Sequence, residues 1–304
     1  MIYAPIALFV YNRLQHTRQT VEALVKNDLA AESELFVFSD GPRSEGDRES
    51  VEAVRMYLAS INDFKLITVV ERETNFGCAA SIIGGITEIV NRYGQIIIVE
   101  DDIVTSPYFL RYMNEALEFY RDEERVVCIH GYLYPVKKKL PDTFFLKGAD
   151  IWGWATWKRG WDLYENDSQK LLDELTERNL IREFDVDDSF CYSGILKHQI
   201  WGDINTWDIQ WLAAAFLKGK LTLYPGKSLV RNIGYDSSGT HCDTSNSFDT
   251  EVSPDPVRIQ RIPLKEHAGA RKAVRNFFRS LDPEPESSLV QHTLDRLARI
   301  LGRR

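Results

Sequence analysis

The chain has 304 residues, 44% of them hydrophobic, and a formal net charge of −8. That apolar content can bury one large core or two modest ones, and the negative balance argues against nucleic acid as a partner for the whole molecule. No apolar stretch is long enough to span a bilayer. Met1-Ile2-Tyr3-Ala4-Pro5 has neither the basic start nor the apolar core of a signal peptide. Cys78, Cys128, Cys191 and Cys242 are scattered and form no CxxC pair, which argues against a zinc site or disulfide framework and fits a reducing cytoplasm.

In chain order, Ile6 to Val10 is a strand-like run ending in Tyr11-Asn12-Arg13. Thr17 is the expected N-cap of a helix running through Leu24. Leu35 to Phe38 is a second strand, closing on Ser39-Asp40-Gly41-Pro42. Glu49 to Ile61 reads as a helix with Val51, Val54, Met56 and Leu58 on its inner face, and Leu66 to Val70 as a strand. The turn Asn75-Phe76-Gly77-Cys78 leads into a helix over Ala79 to Val90, with Ser81 one turn inside. Gln95 to Val99 is the next strand and Phe109 to Tyr120 the next helix. This alternation predicts an α/β fold with a mainly parallel sheet and helices on both faces.

The second half has a different character. All seven tryptophans lie between Trp152 and Trp211. Ile209 to Leu217 reads as a buried helix and Leu221 to Tyr224 as a strand. The Gly/Ser-rich segment from Gly234 to His241 has the composition of a loop that closes on a ligand. From Asp255 to Arg304 there are 11 Lys/Arg against 6 Asp/Glu, whereas the rest of the chain holds 26 against 39. Ala270 to Phe278 and Leu289 to Leu301 are basic amphipathic patterns. Such helices either lie on an anionic membrane or pack against an acidic body, their own or a second subunit's.

The strongest functional signal is Glu100-Asp101-Asp102, directly after Ile96-Ile97-Ile98-Val99. Four β-branched residues mark a strand buried on both faces. Unpaired carboxylates inside such a strand would cost several kcal/mol, so the acids must emerge at its carboxyl end, where open α/β sheets bind ligands. Adjacent hard oxygen ligands suit a divalent cation that in turn holds phosphates. A solvated acidic turn is the plain alternative.

The ordered blocks Phe9-Val10-Tyr11-Asn12-Arg13, Phe38-Ser39-Asp40, Asn75-Phe76-Gly77, Val99-Glu100-Asp101-Asp102 and Trp207-Asp208 resemble a GT-A-fold nucleotide-sugar glycosyltransferase. The likeness falls between the bacterial family-2 enzymes and the N-acetylglucosaminyltransferase I group. It implies a mixed, mainly parallel sheet in a catalytic domain over residues 1–245, with a basic helical extension over 246–304. It also implies Mn²⁺ or Mg²⁺ bound by Asp102, donor contacts from Tyr11, Arg13, Asp40, Ser81, Glu100 and Asp101, and Asp208 as catalytic base. The match departs from N-acetylglucosaminyltransferase I after that aspartate, where this chain has Ile209. Asp203 is the rival base. Trp152 and Trp207 are candidates for a sugar or acceptor pocket, and His241 for a second metal ligand.

The implied reaction is inverting transfer of a hexosyl or N-acetylhexosaminyl group from a nucleotide sugar to a carbohydrate or lipid-linked glycan. Bacterial surface polysaccharide assembly would be its setting, in the cytoplasm or at the inner face of the membrane, with a homo-oligomer as one arrangement. Competing readings are a sugar nucleotidyltransferase and a carbohydrate-binding protein without catalysis. The first usually has a Gly-rich phosphate loop after its first strand, which Tyr11-Asn12-Arg13-Leu14 is not.

Overall fold

The computed structural model describes residues 3–236 and 247–281. The strands are β1 (Ile6–Val10), β2 (Glu34–Ser39), β3 (Leu66–Glu71), β4 (Gln95–Glu100), β5 (Ile103–Thr105), β6 (Val126–His130), β7 (Thr143–Lys147), β8 (Trp154–Trp157), β9 (Leu221–Pro225) and β10 (Val230–Asn232). The helices are α1 (Leu14–Val25), α2 (Arg48–Leu58), α3 (Cys78–Tyr93), α4 (Phe109–Phe119), α5 (Lys158–Trp161), α6 (Ser168–Glu177), α7 (Ile181–Phe184), α8 (Tyr192–Trp201), α9 (Asp208–Leu217) and α10 (Ala268–Ser280).

Eight strands form one sheet in the order β3-β2-β1-β4-β8-β6-β9-β7, and β5 pairs with β10 in a small antiparallel ribbon. β3, β2, β1 and β4 are mutually parallel, and β6 and β9 run the same way. β8 and β7 are inserted antiparallel. This is the mixed, mainly parallel GT-A-type sheet expected from the sequence.

The β-branched runs form these strands because both faces of the sheet are covered. Ile6, Leu8 and Val10 join Leu35, Val37, Ile97 and Val99 in a core with residues of α1 and α4. The alternate residues Ala7, Phe9, Phe36, Phe38, Ile96 and Ile98 pack against α3 and four tryptophans. Each large side chain buried this way contributes about 1.5–3 kcal/mol. Gly94 ends α3 in a left-handed conformation, φ +79°, which returns the chain straight into β4.

Three local expectations are corrected. Thr17 is not a helix N-cap: its N–H already bonds the Arg13 carbonyl at 2.9 Å, so α1 starts at Leu14. Met56 is 71% exposed, whereas Val51, Val54 and Leu58 are buried; a 3.6-residue period puts position 56 on the outer side. The sequence reading also missed β6, β7 and β8, whose runs are short and lie among turns and tryptophans.

The described part of the basic extension packs onto the sheet-bearing body. Ser253 N–H donates to the Ser228 carbonyl at 2.8 Å and His267 N–H to the Phe145 carbonyl at 2.8 Å. α10 buries Ala270, Val274, Phe277 and Phe278 against Leu133, Phe144, Leu146 and Tyr224. Its basic side is neutralised from within the chain: Arg271 and Arg275 reach the Asp187 carboxylate at 3.3 and 3.2 Å, and Arg279 donates to the Asp187 carbonyl. Of the two readings of that helix, packing back on the acidic body is the arrangement in the structure. Leu289 to Leu301 lies outside the described residues. Among the described residues no helix is long and apolar enough to cross a membrane.

Candidate functional site

The parallel strands β1, β2 and β4 deliver their terminal residues to one edge of the sheet, and Phe9 lies in register with Glu100. Arg13, just past β1, therefore meets the acids just past β4. Its Nε donates to Asp101 Oδ2 at 3.2 Å, and its Nη2 bonds both Asp101 Oδ1 and, at 2.8 Å, Asp102 Oδ2. Burial opposes the Arg13 charge, but the two carboxylates outweigh it and raise the guanidinium's pKa. Its remaining nitrogen, Nη1, is buried without a hydrogen-bond partner among the described residues. Thr20 fixes the turn from below by donating to the Asp101 carbonyl at 2.8 Å.

The carboxylates outnumber that cation. Burial pushes Asp101 up to about 6 against the pull of Arg13. Burial, and then the charges of Asp102, Asp101 and Asp208, push Glu100 well above the ordinary carboxylate range. Asp102 is 8% exposed, and the β10 end closes on it: Ile233 N–H donates to its carbonyl at 2.8 Å. Gly234 lies so close that an added Cβ would stand 2.3 Å from Asp102 Oδ2. We expect Gly234→Ala to force that carboxylate off its rotamer, at about 1 kcal/mol. Divalent-cation binding through this carboxylate should then weaken about fivefold, read by calorimetry, with the melting temperature lower by no more than a few degrees.

This donor set fits a divalent cation. Its ligands are hard oxygens in negative excess, and such ions commonly take one or two carboxylates and complete their shell with substrate phosphates. Among the described residues no three acidic, His or Cys side chains converge as a closed metal cage. His241 lies outside the described residues.

Asp40 sits at the end of β2, buried, with four donors on its two oxygens. Gly41 N–H and Phe76 N–H reach Oδ1 at 3.0 and 2.9 Å, and Asn75 Nδ2 and Gly77 N–H reach Oδ2 at 3.1 and 2.9 Å. All four in-plane acceptor positions are filled, three by the loop that enters α3 and one by the adjoining Gly41 turn. Asp40 thus holds the loop that frames the cleft, with little capacity left for a nucleobase. Asp40→Asn would turn an amide N–H₂ toward at least one of these donors. The expected cost is about 2–3 kcal/mol, seen as a Tm lower by roughly 4–10 °C.

Tyr11 lies beside the same loop, its hydroxyl accepting from Arg43 N–H at 3.0 Å. Ser81 is buried inside the first turn of α3, its N–H on the Gly77 carbonyl and its own carbonyl accepting from Arg72. That is a buried packing position inside the helix.

Asp208 is the first residue of α9. Its Oδ1 accepts from the Thr206 hydroxyl and from Ile209 N–H. Its charge acts on Glu100 and, behind desolvation and Glu100 itself, helps push up the thiol of Cys78 at the start of α3. Asp208 is thus near enough to Glu100 and to the start of α3 for its charge to act there. Asp203, the rival base, is paired with His198 Nδ1 at 2.9 Å.

Trp207 does not wall a sugar site. It is 3% exposed and packs among Trp154, at 5.8 Å in a stacked pair, and Trp161, because the cluster beneath the sheet takes up its indole. Trp152 is partly buried and meets Tyr132, Tyr235 and Phe248 edge-on. Its N–H donates to His130 Nε2 at 3.1 Å. Sequence reasoning missed Asp150 and His130, which lack a charge run to flag them, and Gly234, whose role is its want of a side chain.

Residues 6–171 match the family described as Glycosyl transferase family 2. The chain belongs to this family. The match agrees with the family-2 side of the resemblance, while the likeness to the N-acetylglucosaminyltransferase I group rests on the sequence blocks alone. No curated protein sequence matches the chain. Among solved structures, similarity extends to TarS 1-349 of S. aureus in complex with UDP-GlcNAc, at 14% identity over 98% of this chain and 71% of that one, TM-score 0.41. S. aureus TarS itself shows 17% identity over 48% of this chain and 24% of its own, TM-score 0.33. The mannosyltransferase PcManGT from Pyrobaculum calidifontis, in complex with GDP-Man and Mn²⁺, shows 11% over 71% and 70%, TM-score 0.38. The chain thus spans about a quarter of the length of TarS. Family-2 membership rests on the 6–171 match, which takes in the Arg13, Asp40 and Glu100–Asp102 positions but ends before Asp208.

Proposed function

We propose that this family-2 protein is a glycosyltransferase that moves a hexosyl or N-acetylhexosaminyl group from a nucleotide sugar to a saccharide acceptor, with inversion by one direct displacement. The observation that carries the reading is the Arg13 guanidinium, with an N–H to spare, paired with Asp101 and Asp102 beside Glu100, on which the charge of Asp208 also acts.

In this reading Arg13 offers its free N–H to a diphosphate oxygen, a charge-assisted contact. Asp102, with Glu100 beside it, would hold Mn²⁺ or Mg²⁺. When bound, the cation would supply Lewis-acid neutralisation of the departing diphosphate. Asp208 takes the proton from the acceptor hydroxyl. Asp40, engaged by the Asn75–Gly77 loop, keeps the rim of the cleft in shape and leaves recognition of the base to groups around it.

A nucleotidyltransferase is disfavoured by the direct passage from β1 into α1 at Leu14 without a glycine-rich phosphate loop. Calorimetry with UDP and GDP, with and without Mn²⁺, followed by a screen of nucleotide sugars for metal-stimulated hydrolysis, tests the proposal. Absent nucleotide binding would end it, metal-independent binding would take the cation out of it, and binding without any turnover would leave a non-catalytic nucleotide-sugar protein.

A further inference from the structure

Asp208 also borders a cavity of about 120 Å³, walled in part by Tyr134, Asp150, Tyr192, Val274 and Phe278. At about 30 Å³ for each water it has room for roughly four waters, so a sugar ring would seat in it in part, from its open side. The acidic triplet is not part of its wall. Asp208 is the carboxylate common to both places: its charge acts on Glu100 on one side, and on the other it adds, behind burial and Asp150, to the upward shift of the Tyr192 phenol.

The cavity has a built polar anchor. Asp150 Oδ2 accepts from the Tyr134 and Tyr224 hydroxyls at 2.9 and 3.0 Å. His130 is fully buried, and its Nδ1 lies 3.7 Å from the same oxygen with no hydrogen-bond partner among the described residues. Because His130 Nε2 accepts from Trp152 N–H, the neutral ring carries its proton on Nδ1, toward Asp150. Aromatic walls with a few fixed polar groups are the usual composition of a small-molecule site. The cations at the cavity's other end are matched within the chain, Lys147 by Glu183 and Arg271 by Glu266 and Asp187. With Asp150 and Asp208 added, carboxylates are in excess, which opposes an anionic ligand.

We infer that this cavity receives one neutral monosaccharide unit of the acceptor, held through Asp150 and presenting a hydroxyl to Asp208. The inference rests on the glycosyl-transfer reading and deepens it. Tyr192, Asp208, Val274 and Phe278 all lie beyond residue 171, where the family match ends. Val274 and Phe278 belong to α10, so the C-terminal extension supplies a wall of the acceptor site.

The test uses the full chain saturated with UDP or GDP and Mn²⁺, and saturation-transfer NMR with methyl β-glycosides of glucose, galactose, mannose and N-acetylglucosamine. Methyl β-glucuronide serves as the anionic control. At least one neutral glycoside should bind and the glucuronide should not. Val274→Phe, which fills the cavity from α10, and Asp150→Asn, which removes the anchor, should each weaken that binding at least about tenfold with nucleotide affinity unchanged. Should Val274→Phe fail to fold, Asp150→Asn decides alone. Glycoside binding that survives the folded variants, or nucleotide binding with no neutral glycoside bound, overturns the inference while leaving the donor site standing. Failure of every nucleoside diphosphate to bind would instead remove the glycosyl-transfer reading, and the inference with it.

Discussion

Asp208→Asn should lower glycosyl transfer by roughly 10²–10⁴-fold, the usual worth of a positioned proton acceptor, while donor and metal affinity stay within about twofold. The two effects separate because Arg13, Glu100, Asp101 and Asp102 come from the β1 and β4 ends and Asp208 comes from α9. Both described hydrogen bonds to the Asp208 carboxylate fall on Oδ1, so Oδ2 is the oxygen left to accept a proton. Asparagine keeps the shape and an acceptor for Thr206 and Ile209 N–H but removes the basicity. The loss of a helix N-terminal charge is worth only about 0.3–1 kcal/mol of stability. Donor affinity and transfer rate should be measured on the same preparation. Loss of both together would make Asp208 a binding or structural residue, and a normal rate would move the base to Asp203, whose tie to His198 would then need to break.

The parts of the molecule legible in the sequence are those where one physical term dominates. Short continuous apolar runs closed by polar turns read as strands covered on both faces, so β1, β2 and β4 were readable, and with them the edge that gathers Arg13 and the acids. The tryptophans were readable as core in bulk, and five of the seven are nearly or fully buried. Individual assignments failed where two terms compete. Trp207 adjoins the candidate base, and adjacency suggested a sugar wall, yet its large apolar area went to the cluster with Trp154 and Trp161. Asp40 had the composition of a turn and the position of a ligand contact. The four donors that decide its role come mostly from a loop about 35 residues away, and no local pattern announces such a contact. The antiparallel insertions β7 and β8 were hidden for the same reason, since their partners β9 and β4 are remote in sequence. Asp150 gained its neighbours Tyr134 and Tyr224 only through that insertion.

Asp102→Asn should give the opposite signature to Asp208→Asn: the Mn²⁺ dependence of nucleoside diphosphate binding should disappear, with affinity at saturating metal down by roughly 10²-fold or more, about 3 kcal/mol. The fold should persist, because the neighbouring Asp101 keeps its paired contact with Arg13 and the Asp102 carbonyl keeps its bond to Ile233 N–H. The size of the effect follows from charge. Three adjacent carboxyl groups face one guanidinium, and a divalent cation relieves the repulsion that adds to burial in pushing Glu100 up. An amide in place of Asp102 lowers that repulsion and removes an anionic ligand at once, so the site loses both its need for the cation and its grip on it. Isothermal titration of UDP and GDP with and without Mn²⁺, on wild type and variant, reads the change directly. Unchanged metal-dependent binding in Asp102→Asn would move the ligand role to Glu100. Transfer that continues undiminished in excess EDTA would take the cation out of the mechanism, leaving Arg13 as the group that meets the diphosphate.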